Sequence, residues 1–312
     1  MSIVTTEDRG QVRHVVLNRP EKRNAMNQEL LRALAGALRS AAADPHVQCV
    51  VLRGEGPVFS AGVDLTELAS FAGRTDVLRP FRDVFLECAN LCEQMPKPVV
   101  CQIHRTCVGG ALEVALGCDL RVASSDAQFG LPEVRFGIIP DVGGCTRLPA
   151  VVGLGRAKEL IMTARLIDAR EAERIGLVNR VTAPEELSQA TDALVSELVA
   201  HPPLAVGRAK RVMDASARPA IAQTLEMEVS AQEYLMAEAR ARATAEPQSA
   251  PQAEETGRPE PAANGEGVAE REGVTEREGV TEPERIAEPE GVAEPEGVAE
   301  QPSSPAEAFT SG

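Results

Sequence analysis

The sequence predicts an α/β fold that passes into consecutive helices and ends in an acidic tail. Three observations carry this. Short β-branched, apolar runs alternate with stretches apolar at helical spacing as far as Ala123. From Arg156 to Ala239 helical stretches follow one another. After about Ala243 the composition collapses to Glu, Pro, Gly, Ala and Val. The implied organisation is an α/β core over residues 1–200, a helical region over 201–244 and a tail over 245–312.

Taken in order, Gln11–Leu17 is rich in Val and bounded by Gly10 and Asn18-Arg19-Pro20, so it reads as a strand. Asn27–Ala43 places Leu30, Leu31, Leu34 and Leu38 on one helix face. Val47–Leu52 is an apolar run between Asp44-Pro45 and Gly54-Glu55-Gly56, a buried strand. Asp76–Gln94 is a second long helix, Val99–Ile103 a strand, Gly109–Leu116 a short helix and Leu120–Ala123 a strand. Helices follow at Arg156–Thr163, Ala169–Ile175, Pro184–Ala200, Leu204–Ala215 and Pro219–Ala239.

The chain has 312 residues and a net charge of −15, unevenly spread. Residues 245–312 hold seventeen Glu against four Arg, so the rest is nearly neutral. From Glu266 to Glu300 a six-residue unit of the form EGVAEP recurs, with one apolar residue per repeat. That is too little burial to offset chain entropy. Pro and paired Glu recur where a hexapeptide β-helix would need inward apolar residues, so a disordered, extended tail is the expectation.

Charge and hydropathy also exclude function classes. No basic block offers a footprint for nucleic acid. The apolar runs fall well short of the roughly 20 residues that span a bilayer. Met1–Gly10 lacks the basic-then-apolar pattern of a secretory signal, so a cytoplasmic location is expected. Seven scattered Cys show no paired zinc-ligand spacing and read as reduced, mostly buried thiols.

Three segments carry chemistry. Phe59-Ser-Ala-Gly-Val-Asp-Leu65 follows the strand ending near Leu52. Val108-Gly-Gly-Ala-Leu-Glu113 follows the strand ending at Ile103. Phe129-Gly-Leu-Pro-Glu133 continues to Gly137-Ile-Ile-Pro-Asp-Val-Gly-Gly144. Gly109 and Gly110 stand where a helix begins, and its first N–H groups lack internal partners. Such groups can receive an oxygen that gains negative charge. Glu113 lies about one helical turn on, among apolar neighbours where an unpaired carboxylate is costly. Ala61-Gly62-Val63 offers a second N–H from another strand end. Two such donors beside carboxylates suit chemistry through an enolate. Taken singly, Gly109-Gly110 also reads as a packing turn, Asp141 as a turn residue, Asp119 as structural and His104 as a core or supporting histidine.

Together these segments resemble the crotonase superfamily, in particular enoyl-CoA hydratase. Asn18-Arg-Pro, Asn24-Ala25, Lys97-Pro98-Val99, Arg147-Leu148-Pro149 and Ala169-Arg-Glu-Ala172 through Gly176-Leu-Val178 extend the match from about Ile3 to Tyr234. The resemblance implies a spiral of ββα units, with C-terminal helices that mediate a homotrimer and often a dimer of trimers. It implies an acyl-CoA thioester whose carbonyl oxygen is held by the N–H groups of Val63 and Gly110. Glu113 and Glu133, twenty residues apart, then hold one water. Glu113 activates it for attack at C3, and Glu133 delivers the proton at C2. Lys22 and Arg23 lie near the phosphates of coenzyme A and the Ala25 and Ala61 backbones near its adenine. Gly62, Asp64, Leu65 and Gly109 complete the implied binding set. Lys210 and Arg211 are weaker candidates, with solvated helix surface as the plain alternative. No metal or separate cofactor is implied.

Departures from the family pattern are His104-Arg105 ahead of the glycines, Ala111 in place of a third glycine, and Asp141. The first two are expected to reshape the acyl pocket. Asp141 is a possible additional acid, because dienoyl-CoA isomerases of the superfamily carry one there. An isomerase therefore stays open beside the hydratase. A non-catalytic acyl-CoA-binding or interaction protein is a third reading, and the presence of both glutamates and Gly110 argues against it.

Overall fold

Hydrophobic alternation and two short turns set the first unit. In the computed structural model, which describes residues 2–70 and 74–245, β1 (Val4–Arg9) and β2 (Val12–Leu17) form an antiparallel hairpin around Gly10. Helix α1 (Gln28–Ala43) starts where the Asn27 side chain accepts the Leu30 N–H, and it buries Leu30, Leu31, Leu34 and Leu38. Each of those leucines removes enough apolar surface to contribute about 1.5–3 kcal/mol. The chain returns through β3 (Cys49–Gly54), parallel to β2.

Next come α2 (Leu65–Ser70) and α3 (Thr75–Gln94), then β4 (Val99–Ile103), β5 (Thr106–Val108) and α4 (Gly110–Ala115). Strands β6 (Leu120–Ser124) and β7 (Gln128–Gly130) lead to α5 (Gly144–Val152) and α6 (Leu154–Thr163). The chain continues through β8 (Ile167–Asp168), α7 (Ala169–Arg174) and β9 (Arg180–Thr182). It closes with α8 (Leu187–Val199), α9 (Pro203–Ala217) and α10 (Ile221–Ala245).

One sheet has the order β1-β2-β3-β4-β6-β9, parallel from β2 onward, and a second has the order β5-β7-β8. The spiral follows from this pairing. Strand β4 lies in the first sheet, β5 in the second, and α4 closes the unit; β6, β7 and α5 repeat it. In the preceding turn a single bridge from Ser60 to Cys107 stands where the second strand would be. The large sheet is buried on both faces. Val50 and Leu52 join the main core, while Cys49 and Val51 face a second cluster with Leu187, Leu194 and Val195 of α8.

Several elements differ from expectation. Strand β1 was not anticipated, because VTTEDR is polar beyond Val4 and mostly exposed, as a sheet edge allows. The third strand runs two residues later than Val47–Leu52, because Gly54 still pairs with Leu17. Helix α5 is not among the expected elements; Gly143 forms its N-cap and Pro149 sits inside it. Strands β5, β7, β8 and β9 are two or three residues long and carry no periodic signal. The described residues fall in one unit, residues 1–250. The expected tail lies outside them, apart from Ala245 at the end of α10.

Candidate active site

Two glycine turns meet at the edge of the second sheet. Gly109 has φ 56° and ψ −137°, a conformation for which a side chain is poorly suited, and donates its N–H to Gly130 O at 2.9 Å. Gly110 then opens α4; a Cβ on it would stand 2.8 Å from the Phe85 ring and 3.0 Å from Val63 Cγ2. Across from it, Gly62 has φ 88°, and a Cβ there would stand 2.5 Å from Val108 O and 3.5 Å from the Gly110 nitrogen. The 62–63 turn and the 109–110 turn are therefore in direct contact.

The turn around Gly62 is held almost completely by its own amides. Ser60 N–H donates to Thr106 O at 3.1 Å, Ala61 N–H to Arg23 O at 3.0 Å and Asp64 N–H to Met26 O at 3.1 Å. Gly62 N–H donates to Ser60 Oγ at 3.2 Å. Val63 N–H alone in this run has no acceptor among the described residues, and neither has the Gly110 N–H. Unpaired amides of this kind are donors awaiting an oxygen.

Carboxylates gather beside these turns. Glu113, on α4, is 2% exposed. Its Oε1 accepts the N–H groups of Val142 at 3.0 Å and Gly144 at 2.8 Å. Burial pushes its carboxyl well above the ordinary range, and the charges of Glu133, Asp141 and Glu228 push further. Glu133 opens a short 3₁₀ turn, Glu133–Phe136, with Oε1 close over Gly109. Its Oε2 is buried without a partner, and burial raises the carboxyl to about 7. Asp141 also rises to about 7, mainly through burial, although Arg82 opposes the shift; its Oδ2 has no hydrogen bond.

Two residues of the cluster were not anticipated. Glu228, on α10, is 5% exposed and accepts the Gly143 N–H on Oε2 at 2.9 Å. Arg82, on α3, donates to Asp141 O at 2.6 Å and to Leu225 O at 2.5 Å. A signal for Glu228 exists: Leu225, Glu228 and Gln232 recur at helical spacing, which places two polar residues on an inward stripe.

The other implied binding residues surround the first turn. Arg23 takes φ 53°, and its carbonyl and that of Ala25 face inward, toward Ala61 N–H and Arg19 Nη1. The side chains of Lys22 and Arg23 are exposed, and Lys22 lines a surface cleft of about 630 Å³ with Arg19 and Arg32. Asp64 is committed through its side chain: Oδ2 accepts from Arg19 at 2.6 Å and Oδ1 from Thr66 N–H at 3.0 Å. Its main chain is engaged as well, the N–H on Met26 O at 3.1 Å and the carbonyl accepting the Leu68 N–H at 3.0 Å. Leu65 is exposed at the start of α2.

One expectation is corrected, and the other departures can be placed. Lys210 is not a surface charge and does not reach toward the turns. It is 6% exposed and donates to Asp119 Oδ2, Cys92 O and Lys97 O at 2.7–3.0 Å. Arg105 points to solvent and pairs with Asp126 at 3.4 Å. Ala111 packs fully buried in the core. His104 is half-buried, with Nε2 2.9 Å from Gly56 O. All seven thiols are free. Among the described residues no cluster of His, Cys, Asp or Glu is arranged to hold a metal ion, and no helix is long and apolar enough to cross a membrane.

Fold and site together define the crotonase-like class of α/β proteins. The chain belongs to the enoyl-CoA hydratase/isomerase family, whose sequence profile matches residues 7–257. It is 38% identical over 212 residues to a short-chain-enoyl-CoA hydratase of Clostridium acetobutylicum, covering 68% of this chain and 80% of that protein. It is 37% identical over 225 residues to the human mitochondrial Delta(3,5)-Delta(2,4)-dienoyl-CoA isomerase, covering 67% of each. Among solved structures, an enoyl-CoA hydratase/isomerase from Xanthobacter autotrophicus Py2 superposes with a TM-score of 0.71 at 32% identity, covering 76% of this chain and 88% of that one.

Proposed function

We propose that the protein is an enoyl-CoA hydratase, which adds water reversibly across the 2,3 double bond of a 2-enoyl-CoA thioester. The observation that carries this reading is the placement of Glu113 and Glu133 beside two turns whose Val63 and Gly110 N–H groups are unpaired. The thioester carbonyl oxygen accepts both N–H groups, which draws charge from C3 and stabilises the enolate. One water sits between the carboxyls. Its oxygen bonds to C3, one proton passes to Glu113, and Glu133 gives its proton to C2; the proton on Glu113 then returns to Glu133 through the next water, which resets the site. The product is a 3-hydroxyacyl-CoA, and the net change is the addition of one water.

The hydrogen bonds favour this division of labour. Two N–H donors on Glu113 Oε1 stabilise an anion there, whereas the unpartnered Oε2 of Glu133 favours the protonated acid. The reaction is redox-neutral and its electrophile is backbone, so it needs no separate cofactor. Lys22 and Arg23 face the coenzyme A phosphates, and the main chain at 25, 61, 62, 64, 65 and 109 lines its path.

A second reading rests on Asp141, a third buried acid whose Oδ2 makes no hydrogen bond and lies 3.7 Å from Arg82 Nε. It suits proton transfer along a dienoyl chain, the isomerase reaction. Loss of absorbance at the conjugated enoyl-thioester band, measured with 2-enoyl-CoAs of several lengths, tests the hydratase. Parallel reactions with 3-enoyl- and 3,5-dienoyl-CoA test the isomerase. Silence with all of them leaves acyl-CoA binding without catalysis.

The assembly belongs to the same reading. Leu204, Val212 and Met213 stand 63–72% exposed on α9, apolar surface suited to a homotrimer or a dimer of trimers. The protein works in the cytoplasm, and the acidic residues 246–312, which lie outside the described residues, take no part in the reaction. Removing the tail leaves turnover and assembly intact.

A further inference from the structure

Three successive amides at the start of α5 serve two carboxylates from different helices. Val142 and Gly144 donate to Glu113 Oε1 at 3.0 and 2.8 Å, while Gly143, between them, donates to Glu228 Oε2 at 2.9 Å. The turn has no slack. A Cβ on Gly143, which has φ 109°, would collide with Arg147 Nη1, and one on Gly144 would fall 2.5 Å from Pro140 Cβ and 2.9 Å from Glu113 Oε1. Glu228 is fixed in turn. Arg82 lies 3.8 Å from its Oε2 and bonds both the Leu225 carbonyl of α10 and the Asp141 carbonyl that leads into the turn.

We propose that Glu228 is a positioning residue for Glu113: by taking the Gly143 N–H it sets the 142–144 turn so that the flanking amides converge on the Glu113 carboxylate. Rotating the middle peptide away would swing its neighbours off Glu113, since successive peptide planes share their Cα atoms. The last helix thus aims a group on the fourth. Glu228 also adds a negative charge to the surroundings of Glu113. The groups facing it are Arg82 from α3, Asp141 from the loop, Glu113 from α4, and Cys145 and Thr146 from α5.

The effect on rate rests on the hydratase reading, whereas the effect on the turn is measured without it. In the full-length chain, Glu228→Ala should speed hydrogen–deuterium exchange in a peptide spanning 142–144 while leaving β3 and β4 protected. It should lower kcat about tenfold or more, with KM changed less than about twofold. Glu228→Gln keeps an oxygen for the Gly143 N–H and should restore most of kcat. It removes a negative charge near Glu113, so the acidic limb of the rate profile, where Glu113 must be ionised, should move to lower pH. Unchanged exchange in Glu228→Ala overturns the proposal. So does equal loss of rate in both variants, or an acidic limb that stays fixed in Glu228→Gln. If the wild-type chain hydrates no enoyl-CoA, the functional reading falls and the exchange comparison decides this one. If Glu228→Ala fails to fold, exchange in Glu228→Gln, with 142–144 as protected as in wild type, takes its place, and loss of that protection counts against the proposal.

Discussion

The Oε1 atom of Glu113 lies 2.8 Å from the amide nitrogen of Gly144, a contact that joins α4 to the first turn of α5 across thirty-one residues of chain. A helix N-terminus is thereby aimed at a buried carboxylate, where its unpaired N–H groups and positive end stabilise charge. Burial and three neighbouring acids push the other way. The site is a balance of these two influences, and its pH behaviour follows from that.

Burial raises Glu133 to about 7, and the proposed reaction uses it as the acid. The hydration rate should therefore fall as pH rises through that value and the proton is lost. Glu133→Gln should lower kcat on the order of a hundredfold or more and abolish this alkaline limb. Near-normal turnover in the variant would remove Glu133 from the chemistry.

Gly110→Ala places a methyl against Phe85 and Val63, at 2.8 and 3.0 Å, next to one of the two free amides. The turn must shift to admit it. Turnover should fall roughly ten- to a hundredfold, as when an oxyanion donor is misplaced, with unchanged circular dichroism. Full activity would show that the Gly110 N–H does not hold the substrate.

Asp141 titrates near 7 in the folded protein against an ordinary value of 3.8. Between those values the folded state holds the proton more tightly, so Asp141 destabilises the fold progressively as pH rises through the window. Asp141→Asn removes this effect. It should stabilise the protein relative to wild type by on the order of 4 kcal/mol at pH 8 and by little at pH 4. Thermal melts of both proteins across that range measure the difference, and a gap independent of pH would refute it.

Lys210 is buried against Asp119, whose carboxyl burial lifts to about 6 despite the cation. Lys210→Met leaves that acid unpaired and should cost about 3–5 kcal/mol of stability. The KM for enoyl-CoA should stay the same. A raised KM at an unchanged melting temperature would return Lys210 to the substrate.

Much of this architecture is legible in the residues, and the misses share a cause. Val99–Ile103 and the leucine face of α1 were readable because burial there imposes a period. Strands of two or three residues are defined by long-range pairing, such as Cys107 with Phe129, and have no period of their own. The site shows the same contrast. Gly109, Gly110, Glu113 and Glu133 sit in local glycine and acid patterns. Lys210 misled because its charge suggests a surface, while its partner Asp119 lies ninety-one residues away. Glu228 was hidden for the converse reason: its only local mark is a polar residue on an inward helix stripe, and its role depends on a turn from another part of the chain.

The close approach of Gly62 to the Val108 carbonyl bears on how such a protein can diversify. With no space for even a methyl group, the paired turns are closed to substitution and remain the same whatever acyl group is bound. Variation is left to exposed positions that carry no such constraint, such as Phe136 at the end of the Glu133–Phe136 turn or Leu65 at the head of α2. Invention at the margin and invariance at the centre are thus written into one backbone contact.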